Sequence, residues 1–276
     1  MKPSRRLFGN STALVLCAAA CVATESFGQN LVAVGGTLMG GVQNGKLVEL
    51  GKLSGWEAKA KAPWRVHAPG QAPRNGAFRQ ISKDEVHCGD GASVELKYDP
   101  FPADTKPEIA LQGSWNPFPR LAKPQGTANQ TYRTVIAETL TKLGLAKVPI
   151  ELGRIDRIDL DGDGTEEVVL QAQGTGPETK DGKLSHYYSL IVVRRLEKGK
   201  VVDHLLSTPQ GEGSLSGKNM DWSSRMDLTL DGYADLDGDG TLEILVSEHG
   251  VDYGGDAVWK LGPNGPKLLA HESCGA

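Results

Sequence analysis

The 276-residue chain carries 30 Lys and Arg against 34 Asp and Glu, a formal net charge of -4. No basic stripe or cluster stands out, so nucleic acid is not an expected partner. Beyond residue 23 no apolar run reaches membrane length, and the chain is long enough for one or two domains with a sizeable core.

The N-terminus sets the compartment. Met1 to Asn10 contributes Lys2, Arg5 and Arg6, and Ser11 to Ala23 is an apolar, small-residue stretch too short to span a bilayer. Together they read as a cleaved export signal. Ser4-Arg5-Arg6-Leu7-Phe8 also matches the opening of a twin-arginine signal, a receptor-read address for export of a folded protein, although adjacent arginines occur in ordinary signals too. Cleavage after Gly28 has small residues at Ser26 and Gly28. Cleavage before Cys21 would instead leave a lipid anchor, with Ala18 where a larger aliphatic residue is usual. The expectation is release into the periplasm or medium. The chain then divides into a signal over 1–28, an N-terminal β-rich region over 29–126, and a helix with two repeats over 127–276.

Cys17 and Cys21 fall in the signal, leaving Cys88 and Cys274 in the mature chain. In an oxidising compartment this pair is expected to form a disulfide. Closing so long a loop is worth about 5 kcal/mol in the chain-entropy picture. Two buried thiols are the alternative.

Residues 29 to 99 are Gly-rich and strand-like. Leu31 to Val34 and Lys46 to Leu50 flank a turn at Asn44-Gly45, a hairpin signal. Trp56 and Trp64 follow, and Ala92 to Tyr98 alternates apolar with polar. From Pro100 to Gln125 six prolines recur, so this stretch is expected to be an irregular crossing. Trp115 and Phe118 within it either form an exposed binding patch or clamp the crossing to the core; the clamp is preferred. A helix is predicted from about Asn129 to Leu143. Tyr132, Val135, Ile136, Leu140 and Leu143 fall at helical spacing, with Gly144 placed to stop it. The sequon at Asn129 has meaning only in a eukaryotic secretory pathway.

Beyond the helix the chain reads as two repeats 76 residues apart, each with four short strands. In the first they lie near 149–157, 167–173, 185–195 and 200–207. In the second, Met226, Leu228 and Leu230 alternate first, followed by strands near 242–248, 256–261 and 266–272. The first two strands of each repeat are joined by the same acidic nonapeptide, Asp159-Leu-Asp-Gly-Asp-Gly-Thr-Glu-Glu167 and Asp235-Leu-Asp-Gly-Asp-Gly-Thr-Leu-Glu243. Carboxylates at positions 1, 3 and 5, a glycine at 6 for the sharp turn and an acid at 9 would surround a hard cation with oxygens, as calcium requires. So many negative side chains in nine residues repel one another by about 1 kcal/mol per close pair even in water. The competing reading is two Asp/Gly-rich turns without metal. An EF-hand is excluded, because position 12 is Leu170 or Val246 rather than a bidentate Glu and a strand, not a helix, follows each loop.

An apolar strand, Asp-x-Asp-x-Asp-Gly-x-x-acid and a second apolar strand resemble the FG-GAP and VCBS-type repeats of integrin α-subunit heads and many secreted bacterial proteins, over roughly residues 149 to 272. The resemblance implies two calcium sites, one ligated by Asp159, Asp161, Asp163 and Glu167 and the other by Asp235, Asp237, Asp239 and Glu243, with the backbone carbonyls of Thr165 and Thr241 completing the shells. Glu166 is the weaker candidate, since Leu242 is its counterpart. Each unit resembles one four-stranded propeller blade. The family's Phe-Gly before the loop and Gly-Ala-Pro after the strand are absent, and two blades cannot close a ring. The expectation is therefore a mostly β (α+β) protein in an open arrangement, the two units packing on each other, on the main helix or on the N-terminal strands.

For catalysis the sequence offers little. Gly-x-Ser-x-Gly, His-Glu-x-x-His and a Walker phosphate loop are all absent. His249, with Asp252, Tyr253 and Asp256 in a Gly-rich segment, forms either a polar site or a solvated turn. Two function classes remain. One is an exported, calcium-stabilised structural or binding module for a cell-surface protein or glycan; the other is a secreted hydrolase of glycans or esters acting through acidic residues, which no spacing rule excludes.

Overall fold

The computed structural model describes residues 30–83, 91–206 and 216–275, so the segment expected to be an export signal and Cys88 lie outside the described residues, as does the side chain of Cys274. The chain opens with β1 (Asn30–Val34), β2 (Thr37–Gln43) and β3 (Lys46–Glu49). The Asn44-Gly45 turn is present, with both residues at positive φ as a two-residue hairpin turn demands. The strand entering it is β2, not Leu31–Val34; that segment is β1, joined to β2 through Gly35-Gly36. Gly40 is obligatory in β2, because a Cβ there would lie 2.0 Å from the Val48 carbonyl oxygen.

A one-turn helix α1 (Trp56–Lys59) precedes β4 (Trp64–His67), β5 (Arg74–Lys83), β6 (Ala92–Lys97) and β7 (Ile109–Leu111). The pairing order β1-β7-β4-β5-β6-β2 returns to β1 and closes a six-stranded antiparallel barrel, with β3 added outside β2. Alternation does the rest, because successive side chains of a strand face opposite ways. Leu31, Ala33, Leu38, Trp64, Val66, Val94 and Ala110 fill the barrel, which Leu50, Leu53, Trp56 and Ala60 plug. Val32, Val34, Met39, Ile109 and Leu111 face outward to a neighbouring layer.

The Pro-rich crossing is irregular apart from β7 and the two-residue β8 (Lys123–Pro124). It clamps rather than presents its aromatics: Phe118 is buried and Trp115 packs against the same outward-facing cluster. Next comes α2 (Gln130–Lys142), capped by Asn129, whose side chain accepts from the Tyr132 N–H at 3.3 Å. Val135, Ile136 and Leu140 are buried as predicted, but Leu143 is 39% exposed. Gly144 turns the chain at positive φ, and Leu145 takes the buried place instead.

Two antiparallel sheets follow. In the first, β8 leads to β9 (Leu152–Ile158), β10 (Glu167–Thr175), β11 (Leu184–Glu197) and β12 (Lys200–Leu206), with β13 (Ser216–Met220) pairing on the early half of β11. The second is β14 (Asp227–Ala234), β15 (Glu243–His249), β16 (Tyr253–Gly262) and β17 (Gly265–Gly275), each strand bonded to the next. The four strands expected in each repeat are present as consecutive antiparallel neighbours, and the first sheet gains β8 and β13 at its margins.

Each sheet is buried on both faces. Ile155, Val168, Leu170, Leu190 and Val192 meet α2, while Ile158, Val169, Ile191 and Val193 meet Leu228, Leu230, Ile244, Val246 and Trp259 of the second sheet. The other face of that sheet, with Ala234, Leu245, Val258 and Ala270, lies on the barrel. The order of layers is α2, first sheet, second sheet, barrel. Among the described residues no helix is long and apolar enough to cross a membrane.

Candidate metal centre

Each acidic loop runs off the end of the first strand of its sheet, β9 or β14, and returns into the second, β10 or β15. The backbone is folded identically in both copies. Gly162 and Gly164, like Gly238 and Gly240, sit at φ between 77° and 87°, a left-handed conformation open to glycine and costly to other residues. Those turns aim peptide N–H groups at the carboxylates. Asp159 accepts from Gly162 at 2.7 Å and Gly164 at 3.1 Å; Asp235 accepts from Gly238 at 2.7 Å and Gly240 at 3.0 Å. Thr165 donates to Asp163 at 2.6 Å and Thr241 to Asp239 at 2.8 Å. The ninth residue closes each loop from below: Glu167 accepts from Leu160 N–H at 2.8 Å, and Glu243 from Leu236 N–H at 2.7 Å.

The predicted ligands converge in part. Carboxylate oxygens of Asp159, Asp161 and Glu167 lie within 4.8 Å of one another, as do those of Asp235, Asp237 and Asp239. That spacing is about twice a calcium–oxygen bond, so oxygens so placed can face one ion from opposite sides. Asp163 and Glu243 stand outside these triads. Glu166 turns away, paired with Lys123 and with Arg157 at 2.9 Å. The donor set of the first loop, all oxygen and mostly anionic, fits a hard divalent cation.

Basic residues distinguish the copies, and the sequence patterns did not point to them. In the second loop the Lys260 ammonium lies 3.1 Å from Asp237, 2.8 Å from Asp239 and 2.8 Å from Glu243. The strand register delivers it, because Glu243 and Lys260 are direct partners across β15 and β16. In the first loop the corresponding register brings Arg195, one residue past the Val168–Arg194 pair. Its guanidinium touches Asp161 alone among the loop acids, at 3.5 Å, and is shared with Glu197 at 3.6 Å and the Gly262 carbonyl at 3.3 Å, while Arg120 stands 4.0 Å from Asp159. A divalent ion 4 Å from an ammonium would be repelled by about 8 kcal/mol at an effective dielectric of 20. The second loop therefore fits a metal only if Lys260 leaves.

Protonation follows burial. Burial raises the pKa of Glu167, and the Asp161 charge adds to it against the Leu160 hydrogen bond. Asp235 and Asp237 are raised by burial too, and Glu243 by burial and then the Asp237 charge. For Asp239 burial is outweighed by the Lys260 hydrogen bond and the Thr241 N–H, leaving it below its ordinary value. Burial alone would lower Lys260, but the attraction of Glu243 and its hydrogen bonds to Asp239 and Glu243 hold it above the usual lysine range.

The crossing ties the two loops together. Arg120 donates from Nε to the Asp159 carbonyl and from Nη2 to the Gly240 carbonyl, both at 2.6 Å. Leu242 N–H donates to the Leu160 carbonyl at 2.7 Å, and Asp235 N–H to the Pro117 carbonyl at 2.8 Å. Trp115 donates from Nε1 to the Asp235 carbonyl at 2.9 Å, and its ring lies against Gly238.

The second polar candidate is divided. His249 and Asp256 line a cavity of about 570 Å³ with Lys83, Glu272 and Ser273. Tyr253 turns instead to Glu248 and His271, both at 3.0 Å, and Asp252 is exposed. Ser247 links Asp231 to Asp256. Comparison of the chain with protein-family models, curated proteins and solved structures finds no match.

Proposed function

We propose that this chain is an exported calcium-binding β-repeat protein of the FG-GAP/VCBS type, its first acidic loop holding the ion and its blade-like repeats forming a structural or ligand-binding module. The observation that carries this is the Asp159, Asp161 and Glu167 triad, whose oxygens lie within 4.8 Å of one another. Four consecutive up-and-down strands in each of two sheets, β9 to β12 within a six-stranded one and β14 to β17 as a four-stranded one, each with its loop between the first two of the four, support the repeat assignment. Calcium here stabilises: it neutralises a cluster the folded chain otherwise holds together against its own repulsion. The partner is a cell-surface protein or glycan in the compartment the N-terminal signal specifies.

The test is thermal unfolding of chelator-treated protein with added calcium. At a hundredfold excess over the dissociation constant one site contributes about 2.7 kcal/mol, a rise in midpoint of roughly 5–10 °C for a chain of this size. Asp161→Ala removes that rise. Magnesium gives less, since it demands shorter octahedral bonds and keeps its waters. A midpoint that does not respond to millimolar calcium sinks the proposal.

A second reading, a hydrolase, draws on the cavity where His249, Asp256 and Glu272 meet Lys83. Turnover on a glycan or ester panel, lost on Asp256→Asn but kept in Asp161→Ala, would favour it.

A further inference from the structure

The two loops share sequence, backbone and hydrogen-bond pattern, yet their centres differ. In the second, three of the four acids expected to ligate calcium are already in contact with one ammonium: Lys260 lies 2.8 Å from Glu243, 2.8 Å from Asp239 and 3.1 Å from Asp237. It is held there from three sides. Its strand position is fixed by the pairing with Glu243, the neighbouring Trp259 and Leu261 are anchored in the interlayer core, and the side chain is only 19% exposed. Asp237 and Glu243 are themselves buried, at 3% and 0% side-chain exposure. An ion entering this loop would have to expel a lysine with little solvent-facing room and leave its charge beside the ion. In the first loop no single cation bridges the acids: Arg195 touches only Asp161, at 3.5 Å, while also reaching Glu197 and the Gly262 carbonyl, and Arg120 stands 4.0 Å from Asp159.

We infer that Lys260 is the resident cation of the second loop, an ammonium standing where its twin holds calcium, so that the chain binds one calcium ion, at Asp159, Asp161 and Glu167, and none at Asp235, Asp237 and Asp239. The single-site half rests on the function proposed above; the closure of the second loop by Lys260 does not. The duplicated loop has two uses in this account. One copy responds to the calcium around it. The other keeps the same fold at any calcium concentration, because its counter-charge is covalently attached.

The experiment is calorimetric titration of calcium into the chelator-treated full-length mature protein and three variants, Asp161→Ala, Asp237→Ala and Lys260→Met, the last keeping length and apolar contact while removing charge. Expected are one ion per chain for the wild type, none for Asp161→Ala, one for Asp237→Ala and two for Lys260→Met. Two ions in the wild type, falling to one in Asp237→Ala, overturn the inference. So does a folded Lys260→Met that binds no more calcium than the wild type. No binding by the wild type but one ion in Lys260→Met would refute the first loop as a calcium site and leave the role of Lys260 standing. Should Lys260→Met fail to fold, the Asp161→Ala and Asp237→Ala pair still decides: loss of the only ion in Asp237→Ala refutes the inference, and its survival there supports it.

Discussion

Arg120 is the most informative residue to perturb, because it comes from neither repeat and holds both. Its guanidinium makes two hydrogen bonds of 2.6 Å, to the Asp159 and Gly240 carbonyls, and a third contact to the Leu160 carbonyl at 3.4 Å, too long to count for much. Hydrogen bonds from a charged donor contribute about 1.5–3 kcal/mol each. The Gly240 contact is exposed, so water recovers part of it. Arg120→Ala is therefore expected to cost about 2–3 kcal/mol, roughly 5–10 °C in midpoint. Arg120→Lys is expected to recover less than half, since one ammonium cannot reach two carbonyls in a forked arrangement. Urea unfolding in chelator, where metal contributes nothing, measures both, and an unchanged m-value would show that the native compactness is kept. A loss below about 0.5 kcal/mol for alanine, or a lysine variant equal to the wild type, would mean that the loops are joined by the Leu242–Leu160 backbone bond and the underlying sheets alone.

Two further predictions concern the layers on either side. His67 is buried in the barrel with Nε2 unpaired; burial, and then the Arg65 charge, push its pKa down to about 4. The unfolded chain takes up this proton near pH 6.5, so the contribution is complete above that pH and declines as pH falls, by up to about 3 kcal/mol at pH 4. His67→Phe should flatten this part of the acid limb of stability against pH, and an unchanged slope would show that His67 is not responsible. On the helix side, the Tyr188 hydroxyl donates to the Pro149 carbonyl and accepts from the Glu151 N–H, both at 2.8 Å. Tyr188→Phe should lower the urea midpoint by the equivalent of about 1–3 kcal/mol, and a loss within error would mean that water enters to serve both groups.

The repeats were legible because their information is local. Short apolar runs marked β9 to β12 and β14 to β17, with alternation at Met226, Leu228 and Leu230, and the loops came from spacing alone. The barrel was not legible. β2 is buried along its middle, so it has no polar face to alternate, and closure depends on three residues, Ile109 to Leu111, inside a proline-rich stretch. The same divide runs through the site. The carboxylates lie in one short segment, whereas Arg120 arrives from 39 residues upstream of Asp159 with no pattern to announce it. Lys260 left a fainter trace, as the one charge in the apolar run Ala257 to Leu261. Recognising it needed the register of β15 on β16, which sets it opposite Glu243.

The succession of layers has a consequence for how such an array can vary. A ring of blades needs a fixed number to close, but here the outer wall of each sheet is sealed by something that is not a sheet of its own kind, a helix at one end and a barrel at the other. These are end-plates, and they make the stack finite without symmetry. Lengthening is permitted only in the middle, where sheet meets sheet and a third unit would find an apolar wall on both sides. Losing an end-plate is different in kind. Without α2, the wall of Ile155, Leu170, Leu190 and Val192 would face water, and another such wall would be its best available cover.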